Sequence, residues 1–389
     1  MDSSTDLITK SLLFLHLLVL SAAGCYPSIF SFGDSLADTG NLLSTSPNDQ
    51  SGCPPYGMTF FHHPTGRCSD GRLIVDFIAE AMGLPLLPPF LEIMNSSSAQ
   101  EVEELRKGVN FAVSGATAMD YSFFKERGVD VSDNNSSLFY QLQWFKQLLP
   151  SLCSSSSDCK KMLQNSLFLL GEIGGNDYNN PFTQGLSVDE IRSFVPRVIQ
   201  TIGSAINELI ELGARTLVVP GITPLGCNSM YMTYYHSDNQ EDYYDSRGCI
   251  NWLNEFASYH NGLVQDEIRR LRQLHPYATL IYADYYGAII NIFSNPQQFG
   301  FGNKELFVAC CGGGGPYNYN ASAICGYEGS TVCDDPSKYF HWDGLHCTEA
   351  AYRIIADGLL TGYFATSAIS SSCPGVKLNA DQLNLITSS

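Results

Sequence analysis

Positive charge is scarce in this chain: 21 Lys and Arg stand against 39 Asp and Glu, a formal charge of −18. Nucleic acids and anionic membrane surfaces are polyanions that proteins engage through basic patches, so both are excluded as expected partners. A neutral or cationic small molecule remains compatible with that balance. Tryptophan is rarer still, at three residues, and no sugar-stacking platform is legible. Beyond the first two dozen residues no run is apolar enough to span a bilayer, which argues against a stable membrane anchor. Internal repeats and long low-complexity tracts are missing too. No Cys-x-x-Cys pair recurs with a His partner at zinc spacing, so no metal site is expected. Cys310-Cys311-Gly312-Gly313-Gly314-Gly315-Pro316-Tyr317 lacks the Gly-Lys-Ser/Thr ending of a phosphate-binding loop and reads as a disulfide-tethered loop.

What is present begins with export. Lys10 precedes the apolar run Leu12 to Leu20, interrupted by His16, and Ser21-Ala22-Ala23-Gly24 supplies small residues for cleavage near Cys25. Residues 1–24 therefore read as a secretory signal peptide and 25–389 as a single domain. The expected location is extracellular, the apoplast, with the vacuole as the alternative. Thirteen cysteines suit an oxidising compartment. Their spacing suggests local bridges within Cys153/Cys159, within Cys227/Cys249, and among Cys310, Cys311, Cys325 and Cys333, with connectivity left open. Asn95, Asn134, Asn135 and Asn320 lie in glycosylation sequons.

Short apolar runs alternate with helical patterns. Strands are predicted at Ile29–Phe32, from Val109 into the small-residue cluster ending at Ala118, at Ser166–Ile173, at Thr216–Val219 and at Ala278–Ala283. Helical stripes are predicted from Leu73 to Met82, from the capping box Ser187–Glu190 through Leu209 to a stop at Gly213, over Asn251–Leu274, and after a Thr348 cap. Near-continuous apolar strands separated by helices indicate a parallel sheet covered on both faces. In such sheets ligands bind beyond the carboxyl ends of the strands. Ser35, Gly115 and Asn176 all follow predicted strands and belong at that edge.

A serine hydroxyl is a poor nucleophile until a base takes its proton and fixed donors hold the oxyanion. Among eight histidines, His346 has an acid, Asp343, three residues earlier, close enough to accept from one ring nitrogen while the other faces a serine. A purely structural hydrogen bond would explain the same spacing. His341 is the rival imidazole, two residues before Asp343 but without a turn to join them; His62 and His63 lie in a Pro/Gly-rich loop with no acid nearby.

Taken together, Gly33-Asp34-Ser35 with Asp38-x-Gly40-Asn41, Asn110-Phe111-Ala112 leading to Gly115, Gly174-Gly175-Asn176-Asp177, and Asp343-Gly344-Leu345-His346 resemble the plant GDSL esterase/lipase family of the SGNH hydrolases. The runs Pro220 to Cys227 and Gly314 to Tyr319 look like the branch holding acetylajmalan esterase and sinapine esterase. The resemblance implies a flavodoxin-like three-layer α/β/α sandwich with a central parallel sheet, no cofactor and no metal. It also implies a nucleophile near the N-terminus in place of a Gly-x-Ser-x-Gly elbow. It implies Ser35 as nucleophile, His346 as general base and acid, Asp343 as its orienter, and an oxyanion hole of the Ser35 and Gly115 N–H groups with the Asn176 amide. The implied activity is hydrolysis of small-molecule acetyl, hydroxycinnamoyl or lipid esters. An acyltransferase sharing the acyl-enzyme, a non-catalytic secreted defence or carbohydrate-binding protein, and a cell-wall glycan deacetylase are the alternatives. Two residues depart from the family pattern: Glu172 places an acid at a strand's end, and Cys347, directly after His346, is an oxidisable thiol if free.

Overall fold

The computed structural model describes residues 26–94, 103–131, 136–239, 244–373 and 376. Five parallel strands form the central sheet: β1 (Ile29–Phe32), β2 (Gly108–Asn110), β3 (Leu167–Leu170), β4 (Thr216–Pro220) and β5 (Thr279–Ala283), in the order β2-β1-β3-β4-β5. This is the flavodoxin-like order. The chain steps outward from β1 to β2, then crosses back to place β3 on the other side of β1, in register from Ile29 opposite Leu167 to Phe32 opposite Leu170. At such a reversal the connections leave in opposite directions and open a crevice at the carboxyl edge.

Alternate strand residues divide the core into two layers because successive side chains point to opposite faces. Phe30, Phe32, Phe168, Leu170, Leu217, Val219 and Leu280 pack against α2 (Leu138–Leu152), α4 (Val195–Leu212) and α5 (Asn251–Leu274). Ile29, Leu167, Leu169, Val218 and Ile281 pack against α1 (Ile74–Ala81), α6 (Tyr285–Ser294) and α7 (Glu349–Thr361). Both sets are buried, and each large apolar side chain so placed contributes about 1.5–3 kcal/mol. Helix α3 (Asn176–Thr183) starts at the sheet's carboxyl edge, above β3.

The predicted α5 is found with the expected bounds. Two expectations need correction. The stripe after Ser187 is two helices, Val188–Arg192 and then α4, because Pro196 has no N–H to give the carbonyl of Arg192 and its ring collides with that carbonyl, so a helix can only begin there. The strand expected from Val109 towards Ala118 stops at Asn110, and the rest is a loop held to the β1 turn by Phe111 N–H to Ser31 O (2.7 Å) and Val113 N–H to Gly33 O (3.1 Å). Helices α2 and α6 had no strong sequence signal.

The disulfides between described residues include Cys153–Cys159, Cys227–Cys249, Cys310–Cys333 and Cys311–Cys325. The last two tether the tetraglycine loop, whose Cys311–Gly312 pairs with Thr331–Val332. No helix among the described residues is long and apolar enough to cross a membrane.

Candidate active site

The β1 strand ends at Gly33, where φ is +143° and a Cβ would lie 2.9 Å from the Glu172 carbonyl oxygen, so a larger residue is excluded. Gln141 on α2 clamps this turn from both sides: Gly33 N–H donates to Oε1 (2.9 Å) and Nε2 donates to Gly33 O (2.8 Å). Asp38 then gathers four backbone donors. Gly40 and Asn41 donate to Oδ1, Leu42 and Ser114 to Oδ2, at 2.6–3.1 Å. Burial pushes Asp38 up to about 6 despite those donors. Asn41 donates to the carbonyls of Asn110 and Ala112 (2.9 and 2.8 Å), and Asn110 donates back to Thr39 Oγ1 (3.0 Å). The signature residues outside the hydroxyl itself thus staple the loop after β1 to the loop after β2.

The third loop is held likewise. Asp177, in the first turn of α3, accepts from Ala118 N–H (2.8 Å) and Met119 N–H (2.9 Å). The Asn176 amide donates to Asp34 Oδ2 (3.2 Å) and to Ala116 O (3.0 Å), bridging the first two loops. Gly115 sits between them with φ +82° and open space where a side chain would be. Among the described residues neither Ser35 N–H nor Gly115 N–H donates to a protein acceptor.

The fourth segment comes from far along the chain. Thr348 caps α7 by accepting from Ala351 N–H (3.3 Å) and is tied to Tyr339 O (2.8 Å), which fixes the turn before it. In that turn His346 Nδ1 meets Asp343 Oδ2 at 2.7 Å, and His346 Nε2 meets Ser35 Oγ at 2.8 Å. Asp343 Oδ1 accepts from the backbone N–H of Leu345 and His346 (3.2 and 3.0 Å), and Oδ2 accepts from the Tyr56 hydroxyl (2.7 Å). Burial alone would raise Asp343; the interaction with the His346 ring and the hydrogen bonds from His346 and Tyr56 outweigh it and hold the carboxyl below its usual range. Serine, imidazole and carboxylate therefore form one hydrogen-bonded chain, with Ser35 and His346 each less than a tenth exposed.

Residues 29–359 match the family model described as GDSL-like Lipase/Acylhydrolase. The chain belongs to this family. It is a carboxylic ester hydrolase. A GDSL esterase/lipase of Arabidopsis thaliana is 50% identical over 375 residues, covering 95% of this chain and 93% of the relative. A second from the same plant is 53% identical over 351 residues, covering 90% and 85%. Sinapine esterase of Brassica napus is 48% identical over 381 residues, covering 96% of each.

In this GDSL-like hydrolase the remaining titratable residues sort themselves by contact. His341 is buried, donates from Nε2 to the Cys227 carbonyl (3.0 Å), and is pushed down to about 4 by burial; it does not reach the serine. His62 and His63 are exposed, each against a local backbone carbonyl. Cys347 is unpaired, and the expectation that a free thiol there is oxidisable is corrected: it is buried, and burial with the Asp343 charge holds it protonated. Reactive cysteines need the opposite surroundings. Glu172 is buried, and its carbonyl accepts from Asp34 N–H (3.0 Å) in the turn after β1. Tyr56 and Gln141 were missed by sequence reasoning: a tyrosine in a Pro-rich loop and a glutamine in a helix carry no local signal of partners 287 and 108 residues away. Asn320 is exposed; Asn95, Asn134, Asn135 and the segment 1–24 lie outside the described residues.

Proposed function

We propose that this hydrolase is a secreted serine carboxylesterase acting on small-molecule esters through an acyl-enzyme. Ser35 Oγ attacks the ester carbonyl while His346 Nε2 takes its proton. Asp343 holds the ring in the tautomer that leaves Nε2 free and stabilises the imidazolium that forms. His346 then returns the proton to the leaving alcohol, and water releases the acid by the same route reversed. The N–H groups of Ser35 and Gly115 and the Asn176 amide receive the oxyanion. The single observation carrying this reading is the continuous chain from Ser35 Oγ through the His346 ring to Asp343, 2.8 and 2.7 Å.

The name sinapine esterase on one relative and the family description favour acetyl, hydroxycinnamoyl or lipid esters. A hydrolysis panel spanning short acyl, long acyl, hydroxycinnamoyl and acetyl-alkaloid esters, run beside Ser35→Ala, tests both parts. Turnover of at least one class by the parent and its loss in the variant is expected. Undiminished turnover in Ser35→Ala would overturn the assignment of the nucleophile. Export is tested by the N-terminal residue of the protein recovered from plant tissue, expected close to Cys25.

A further inference from the structure

Two buried carboxyl groups lie behind the nucleophile and take no part in the chemistry above. Asp34 immediately precedes Ser35, and Glu172 follows β3; each is at most a twentieth exposed. Their loops are joined at the backbone, and the two carboxyl groups lie within hydrogen-bonding reach of each other. A carboxylate has no donor, so a carboxyl–carboxyl bond requires that one of the two carry a proton. The surrounding contacts fix where each points. Glu172 Oε1 accepts from Gly175 N–H (2.9 Å), Asp34 Oδ1 from Leu36 N–H (3.0 Å), and Asp34 Oδ2 from the Asn176 amide (3.2 Å). Asp34 N–H also donates to the Glu172 carbonyl (3.0 Å), binding the two loops at the backbone.

The Asn176 amide has two N–H donors, and both are engaged, one by Ala116 O and one by Asp34. To reach an oxyanion one of them must be shared or released. The contact to Asp34 is the longer, 3.2 Å against 3.0 Å, and is the one more readily exchanged.

We propose that Asp34 and Glu172 are positioning residues that share one proton beneath the nucleophile turn, Asp34 donating to Glu172, so that the Asn176 amide is held loosely enough to turn to the oxyanion. The inference rests on the assignment of Ser35 and Asn176 made above. While Asp34 is neutral it orients the amide without capturing it. Once Asp34 ionises, a negative charge beside the developing oxyanion competes for the same N–H and opposes the charge that the reaction creates. The groups facing the pair are Asp177 and Tyr178 on α3, Tyr285 on α6, Tyr231 on the helix Ser229–Tyr234, and the His346 ring. Burial first, then the Glu172 charge and its hydrogen bond, hold Asp34 protonated well above the usual carboxyl range.

The test is the alkaline limb of kcat in two isosteric variants. In Glu172→Gln the acceptor charge is gone and the new amide can donate to Asp34, which ionises more readily; the limb moves to lower pH, and kcat at pH 8 falls about tenfold or more below that of Asp34→Asn, with KM little changed. In Asp34→Asn the residue has no proton to lose, and the limb moves to higher pH. Shifts in the same direction, or no shift in either, overturn the proposal. Should a variant fail to fold, carboxyl-labelled carbon-13 NMR of the parent enzyme reads the same proton: one Asp and one Glu carboxyl titrating together above neutral pH supports the pair, and complete ionisation of every carboxyl by pH 8 overturns it. Ser35→Ala separates the two levels, because an active Ser35→Ala refutes the nucleophile, whereas an inactive one beside identical limbs in the other variants refutes the pair alone.

Discussion

Replacing Asp343 by Asn tests whether the carboxylate sets the imidazole tautomer. Oδ1 of Asp343 accepts two backbone N–H groups, from Leu345 and His346, whereas Oδ2 meets the Tyr56 hydroxyl and the His346 ring. An asparagine keeps its oxygen where the two fixed donors are and turns its amide to the other side. That amide then donates to His346 Nδ1 and drives the ring proton to Nε2, where it faces Ser35 Oγ and cannot accept. The base is blocked with little change of shape. In Ser-His-Asp enzymes this change costs about 10⁴ in kcat, close to 5.5 kcal/mol of barrier. Stability should fall far less, by about 1–3 kcal/mol for a Tyr56 hydroxyl hydrogen left without an acceptor. Initial rates on a short acyl ester from pH 6 to 9 measure the first quantity and thermal unfolding the second, with phosphonate labelling of Ser35 slowed in parallel. A folded Asp343→Asn enzyme within about tenfold of the parent kcat would refute the reasoning, since the ring would then be oriented by something other than this carboxylate.

Asn176→Ala should lower kcat about a hundredfold, roughly 3 kcal/mol, with KM nearly constant, as for loss of one oxyanion donor; unchanged turnover would dismiss the amide's role. Arg67 forms a buried two-pronged pair with Asp76 (2.8 Å on both contacts) and also reaches Thr39 O (3.2 Å). Arg67→Ala strands a buried carboxylate and should cost about 3–5 kcal/mol of unfolding free energy in urea, and a loss under 1 kcal/mol contradicts this. Burial raises Asp177 from 3.8 to about 7. Between those values the folded chain keeps a proton that the unfolded chain has released. Its contribution to stability is therefore fully present below the unfolded value and is lost as pH rises through about 7, at up to 1.4 kcal/mol per pH unit. Unfolding free energies at pH 5, 6 and 7 should show a flatter slope in Asp177→Asn than in the parent; parallel slopes would disprove the linkage.

The sequence by itself determined the layered sheet and nominated Ser35, His346 and Asp343 as the candidate reacting set. Runs such as Leu167–Leu170, apolar on both faces, can be buried only between two helical layers, and the Thr348 cap and α5 are written in local residue types whose effects act within one turn. The carboxyl-edge placement of Ser35, Gly115 and Asn176 followed from the same alternation. Tertiary structure alone decided what surrounds them: Tyr56 on Asp343, Gln141 on the Gly33 turn, Asp38 and Asp177 as collectors of backbone N–H groups, and Glu172 against Asp34. Hydrogen bonds across tens or hundreds of residues leave no periodicity to read, because a polar side chain's partner is chosen by where the packed layers bring the chain. The short β2 was decided the same way, because its continuation gives its N–H groups to the loop after β1 in place of a strand ladder.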